Sequence, residues 1–185
     1  MKEVTTVLTT TPASSTSIVI GGGEFRFSAA HTGLHDGELE PLHGHTFTVT
    51  LRVAGTPDID RMIVDFTTVK DALREAITPL HRRTLLAQHC PGVVVDVETE
   101  VVRVSSPGKF YLLPRADTVV LPINNTTTEE LAIYLLDTIA PALAGAALDH
   151  AELELAEAPG QAAVVRRRLP TGTHSVTPSE SEDTR

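Results

Sequence analysis

Tryptophan is absent from this 185-residue sequence, cysteine occurs once and methionine twice. A single thiol, Cys90, excludes an internal disulfide and any zinc site built from several cysteines. A metal held here must therefore draw on His, Asp or Glu. Positive charge is also scarce: 15 Lys and Arg stand against 24 Asp and Glu, a formal net charge of -9. Duplex nucleic-acid binders neutralise several phosphates with a basic stripe, and this composition argues against that class. No apolar run approaches the ~20 residues of a membrane span. The stretch MKEVTTVLTTTPASSTS carries an acid at position 3 and threonines where a signal peptide needs an apolar core. These absences predict a cytoplasmic protein that works on a small molecule, with no nucleic-acid or membrane partner.

What remains is an ordinary globular composition, 41% apolar and 21% charged, in a length that suits one domain. Residues 1–16 are rich in Ser and Thr and residues 170–185 lack any apolar period, so both are expected to be flexible arms around a single domain at 17–169. From Phe25 the apolar side of an alternation runs through Phe27, Ala29 and His31, the period of a half-buried strand. Residues 32–42 combine Gly, Pro and acids and read as a loop. A second strand alternates through His43, His45, Phe47, Val49, Leu51 and Val53 and stops at Gly55.

Val69, Leu73, Ala76 and Ile77 share one helical face, predicting a helix over about 67–77 capped by Asp65 or Thr67 and ended by Thr78 and Pro79. Residues 92–122 are Val-rich and broken at 105–108 and near Arg115, predicting two to four strands. Thr126 or Thr127, with Glu129 or Glu130 three positions on, forms a capping box ahead of Leu131, Leu135, Leu136 and Ile139, and Pro141 ends that second helix. Two strands, within 151–158 and 161–168, turn at Pro159 and Gly160. Strands with helices segregated from them predict an α+β fold.

His31, His43 and His45 all fall on the apolar side of their strands, at the ends nearest the connecting loop. Neighbouring strands would bring these imidazoles together, and catalytic zinc sites often use three protein ligands with a fourth position open. Spacing alone leaves two readings equally open, a metal site or three core imidazoles. Glu157 shares parity with Leu153 and Leu155, while Glu152 and Glu154 face the other way; a carboxylate on an apolar face needs a partner.

In order along the chain, FSAAH, then ExLHGH (Glu40, Leu42, His43, Gly44 and His45), then MIVDF with Val69 and Lys70, then TTEELA, then LELAEA resemble the 6-pyruvoyl- and 6-carboxy-tetrahydropterin synthase family over about 25–168. The resemblance implies a tunnelling fold, an antiparallel sheet with two helices on one face, assembled as a homo-oligomer, a trimer of dimers around a β-barrel. It implies Zn²⁺ on His31, His43 and His45, and a pterin substrate, 7,8-dihydroneopterin triphosphate, bound between subunits. Glu157 would accept from the N–H groups of the pterin ring, with Thr127 and Glu129 in a second anchoring segment.

The family's acid-base set is altered. Members that make the pyruvoyl or carboxy pterin carry a cysteine four residues before HGH, where this chain has Leu39. Some relatives have a glutamate three residues before HGH, associated with release of the side chain as 6-hydroxymethyl-dihydropterin, and Glu40 stands there. The family's Asp-His pair aligns with His81 and Arg82. His81 supplies an imidazole for proton transfer, but a guanidinium never gives up its proton. The implied function is a zinc-dependent lyase with Glu40 as base and His81 assisting. The alternatives are the same fold turned to another substrate, as in secondary metabolism, and a non-catalytic metal- or pterin-binding oligomer. Arg82, Arg83, Lys109 and Arg115 are candidate phosphate contacts, Cys90 reads as incidental, and Arg166–Arg168 as an exposed strand end.

Overall fold

A computed structural model describes residues 16–144, 146 and 148–169. Of the expected arms at 1–16 and 170–185, residues 1–15 and 170–185 lie outside the described residues, and Thr16 opens the first strand. The strands are β1 (Thr16–Ile20), β2 (Arg26–His31), β3 (Leu34–His35), β4 (Glu38–Leu39), β5 (His43–Gly55), β6 (Arg83–Ala87), β7 (Val94–Val97), β8 (Val101–Ser106), β9 (Lys109–Pro114), β10 (Thr118–Leu121), β11 (Leu148–Ala158) and β12 (Gln161–Arg168). Two helices, α1 (Phe66–Ile77) and α2 (Thr128–Ile139), complete the α+β fold.

Seven strands form the main sheet in the order β10-β6-β2-β5-β11-β12, with β1 also paired to β5. The long β5 holds β2 along its first half (His31 opposite His43, Phe27 opposite Phe47) and β1 along its second. β11 covers the opposite edge of β5, and β12 folds back on β11. The sheet is mixed: β6, which periodicity does not reveal, runs parallel to both β2 and β10. The segment expected as a loop at 32–42 contains the β3–β4 hairpin. The Val-rich stretch separates into a three-stranded sheet, β7-β8-β9, and β10 of the main sheet.

Both helices cover one face. Val69, Leu73, Ala76 and Ile77 of α1 and Leu131, Leu135, Leu136 and Ile139 of α2 join Phe27, Phe47, Val49, Leu51, Leu153 and Leu155 of the sheet in one core. Phe27 and Phe47 stack with centroids 5.0 Å apart. Each such side chain contributes about 1.5–3 kcal/mol on burial, so the core outweighs any surface ion pair. The opposite face is polar: Glu152 stands between Arg52 and Arg166 on neighbouring strands and pairs with both. Among the strand-end arginines, Arg167 pairs with Asp137 of α2.

Asp65 caps α1, its carboxylate accepting from Thr67 N–H at 2.5 Å. Thr127 rather than Thr126 caps α2 through Glu130 N–H. Glu130 does not complete a reciprocal box; its carboxylate accepts from Asn124 N–H at 3.3 Å. Thr126 is thereby released for a different task. No helix among the described residues is long and apolar enough to cross a membrane.

Candidate metal centre and cleft

His31 ends β2 and His43 opens β5 directly opposite it. Because alternate residues of a strand share a face, His45 lies beside His43 on the side of the sheet that carries Phe47. Gly44 between them has no side chain to collide with β2: a Cβ there would stand 3.0 Å from the Ala29 carbonyl oxygen. The imidazole centroids lie 4.5 Å (His31 to His43), 5.2 Å (His31 to His45) and 5.0 Å (His43 to His45) apart. One nitrogen from each falls within 4.8 Å of the others. Tetrahedral Zn–N bonds of ~2.05 Å require about 3.4 Å between such nitrogens, so the three imidazoles stand near the spacing that a shared metal needs.

The hydrogen bonds decide which nitrogens are available. His31 is buried, and its Nδ1 lies 2.8 Å from the Thr126 carbonyl, which only a protonated nitrogen can satisfy. The Nε2 is left as a buried lone pair with no partner among the described residues. His43 repeats the pattern with Nδ1 2.8 Å from the Pro41 carbonyl. An imidazole held through Nδ1–H with Nε2 free is the arrangement of a metal-ligating histidine with its outer partner. Burial, ahead of the opposing pull of the Thr126 carbonyl and the added push of His43 and His45, lowers the His31 pKa and keeps the lone pair available. The donor set thus fits a divalent metal such as zinc.

Sequence reasoning missed what holds Thr126 in place. Asn125 accepts Leu34 N–H and Thr126 N–H on Oδ1 and donates Nδ2–H to the Leu34 carbonyl, each at 2.9 Å. The Thr126 hydroxyl donates to the Thr32 carbonyl at 3.0 Å. A loop asparagine carries no periodic signal. A clue lay only in its place beside a helix cap.

The three imidazoles open into a cleft of about 510 Å³ whose walls include Glu40, Thr127, Glu129, Glu157 and Gln161. Thr128 donates its hydroxyl to Oε2 of Glu157, which sits by the irregularity in β11 at Ala156 and Ala158. That bond holds one oxygen of a carboxylate that lines the cleft. The Thr127 hydroxyl is already used as the α2 cap. His81 is not brought to this cleft within the chain. It accepts Ser28 N–H on Nδ1 at 3.2 Å and lines a separate depression with Glu24, Arg26 and Arg74. Arg82 and Arg83 border a third depression that also touches His45. Of the other candidate phosphate contacts, Lys109 bonds the Leu39 carbonyl and Arg115 the Thr118 carbonyl. Cys90 is buried, its thiol pKa pushed up by desolvation.

Three inward imidazoles at the end of a β-sheet backed by two helices, with carboxylates facing them across a cleft, define a tunnelling-fold protein with a candidate metal centre. The family model for 6-pyruvoyl tetrahydropterin synthase matches residues 22–168, and the chain belongs to that family, whose enzymes are lyases acting on pterins. A Methanocaldococcus jannaschii protein named "Putative 6-carboxy-5,6,7,8-tetrahydropterin synthase" is 28% identical over 148 residues, covering 78% of this chain and 91% of that one. The crystal structure of the Plasmodium vivax 6-pyruvoyl tetrahydropterin synthase superposes with a TM-score of 0.79 at 25% identity, covering 84% of this chain and 99% of that one. A variant of that Plasmodium protein, with a catalytic glutamate replaced by alanine, superposes with a TM-score of 0.80 at 23% identity over the same shares.

Proposed function

We propose that the protein is a zinc-dependent lyase acting on a dihydroneopterin triphosphate-like pterin and releasing its side chain, with Glu40 as the base. The observation that carries this reading is the shared cleft: the free Nε2 of His31, the imidazoles of His43 and His45, and the carboxylates of Glu40 and Glu157 all border it. A zinc ion on the three imidazoles would raise the acidity of a coordinated substrate hydroxyl. Glu157, oriented by Thr128, accepts from the N–H groups of the pterin ring and fixes its edge. Glu129 borders the same end. Glu40 takes the proton of the hydroxyl on the second side-chain carbon, the bond from that carbon to the first breaks so that the outer fragment leaves as an aldehyde, and Glu40 returns the proton to the carbanion left on the pterin's first side-chain carbon. Leu39, in the position of the family's cysteine, supplies no such group. The Plasmodium vivax relative likewise uses a catalytic glutamate.

His81 serves this chemistry only across a subunit contact, since within one chain it faces another depression. A trimer of dimers accords with that separation, and we place this activity in the cytoplasm as the sequence composition suggests. A second reading, the same fold turned to a different substrate, is favoured by charge. Glu40, Glu129 and Glu157 line the cleft, and no lysine or arginine does so among the described residues.

Zinc-loaded protein incubated with dihydroneopterin triphosphate, and separately with unphosphorylated dihydroneopterin, distinguishes them by mass spectrometry of products. Hydroxymethyl-dihydropterin formed from the triphosphate and lost in Glu40→Gln and His43→Ala supports the first reading. Turnover of the unphosphorylated compound alone supports the second. Tight pterin binding with no turnover of either refutes both and leaves a binding protein.

A further inference from the structure

Leu39 and Glu40 are adjacent residues that serve different spaces. Leu39 is 4% exposed and closes a small core with Leu86, Val102 and Val104, against which Leu34, Val95, Tyr111 and Leu113 pack. Glu40 is exposed and lines the cleft of the three imidazoles. Val102 and Val104 come from the β7-β8-β9 sheet, which pairs with no strand of the larger sheet. That sheet reaches the β3–β4 hairpin twice: through the apolar cluster around Leu39, and through Lys109, which donates to the Leu39 carbonyl.

The other side of Glu40 is tied to the strand that carries His31. Glu40 N–H donates to the Gly33 carbonyl at 2.8 Å, and the Thr32 hydroxyl donates to the Glu40 carbonyl at 2.7 Å. Between them, Asp36 (φ 49) and Gly37 (φ 81) close the hairpin with two positive φ angles, the signature of a tight type I′ turn. The backbone at 39–40 is therefore gripped from both sides. Successive side chains of an extended segment alternate, so seating Leu39 in the small core turns Glu40 into the cleft.

We propose that the β7-β8-β9 sheet is a positioning element for Glu40, with Leu39 as its knob and Lys109 as its tether. Together they set where the carboxylate stands relative to the three imidazoles. This rests on the reading of Glu40 as the base. It assigns a purpose to the Val-rich segment, and it explains the leucine at the family's cysteine position as a packing residue. A displacement of about 1 Å at a reacting group costs up to ~100-fold in rate, so a loosened knob or tether shows in turnover before it shows in binding.

The test compares Leu39→Ala, Lys109→Met, Leu39→Met and Lys109→Arg with wild type and Glu40→Gln. Steady-state kinetics are read on the zinc-loaded proteins, amide hydrogen exchange over residues 33–41 on the metal-free chains, and visible absorption on cobalt-loaded chains. Leu39→Ala and Lys109→Met are expected to lower kcat by about tenfold or more with KM held within about threefold. They speed exchange at 38–41 and leave the cobalt spectrum unchanged, and Leu39→Met and Lys109→Arg restore most of kcat. Wild-type kcat and exchange in the first pair overturn the proposal, as does a cobalt spectrum that changes with kcat. Full turnover by Glu40→Gln sinks the reading of Glu40 as base, while the exchange data still decide whether the sheet holds the loop.

Discussion

Replacing Asn125 by alanine is expected to weaken metal binding without touching a ligand. Three hydrogen bonds of 2.9 Å disappear, two from Leu34 and Thr126 N–H to Oδ1 and one from Nδ2 to the Leu34 carbonyl. At about 1 kcal/mol net each they amount to about 3 kcal/mol, and water entering this half-buried loop reduces that to about 2 kcal/mol. For a chain of this length the melting temperature of the metal-free protein then falls by about 4–8 °C. Thr126, no longer held, presents its carbonyl to His31 Nδ1 less constantly. Loss of the outer partner of a ligating histidine lowers metal affinity about 10–100-fold. The assay is a zinc titration against a chromophoric chelator, with thermal unfolding in parallel. Asn125→Asp keeps oxygen acceptors for both N–H groups and is expected to retain most of the affinity. An Asn125→Ala protein destabilised as expected yet binding zinc like wild type would refute the chain of support from Asn125 through Thr126 to His31.

Gly33→Ala places a Cβ 3.2 Å from Oε2 of Glu40; the flexible carboxylate yields, so turnover is expected to fall several-fold while stability stays within about 1 kcal/mol, checked by kinetics beside urea unfolding. Burial raises the Cys90 thiol pKa, so its reaction with a disulfide reagent at pH 8 should be slow in the folded protein and fast in denaturant, and Cys90→Ala should keep full turnover. The same shift gives a stabilisation fully present below the thiol's unfolded pKa and lost as pH rises through the higher folded one. Glu152 behaves oppositely: Arg166 first, then Arg52, holds its carboxylate below its ordinary value. Its stabilisation is present above the unfolded carboxylate pKa and fades as pH falls through the folded one. Being a solvent-facing cluster, it contributes no more than about 1 kcal/mol, read as the stability difference between wild type and Glu152→Gln at pH 7 and its disappearance in strong acid.

The elements legible in the sequence were those whose environment differs between their two faces. β5 alternates cleanly because helices cover one side and solvent or polar groups the other, and the same contrast placed His43 and His45 on the side of Phe47. β6 was hidden because Leu85, Leu86 and Ala87 are buried in succession, leaving no period-2 signal, and because its parallel partners are distant in sequence. The β3–β4 hairpin carries no periodic signal, since two residues per strand are too few for any period, although Asp36–Gly37 is a favoured turn pair. Strands in 92–122 were expected from their valines, but valine content does not tell which sheet a strand joins.

The same limit governs the site. Parity is a local property, and it sufficed for three imidazoles on two adjacent strands. It could not show that Asn125 orients one of them across 94 residues of sequence, nor that His81 faces away from them in the same chain. The sequence match to the family located His81 in the chain order, but a match carries no face. Leu39 makes the point most directly. Beside Glu40 in a polar loop it looks like a lost catalytic position, and only the packing of Val102 and Val104 over it shows that the leucine has structural work of its own. On the proposed reading the base is therefore Glu40, whose side chain lines the cleft, and not position 39, whose leucine fills the small core. Restoring the thiol by Leu39→Cys should therefore leave the base function with Glu40, and activity in the Leu39→Cys, Glu40→Gln double variant would show instead that position 39 can still reach the substrate.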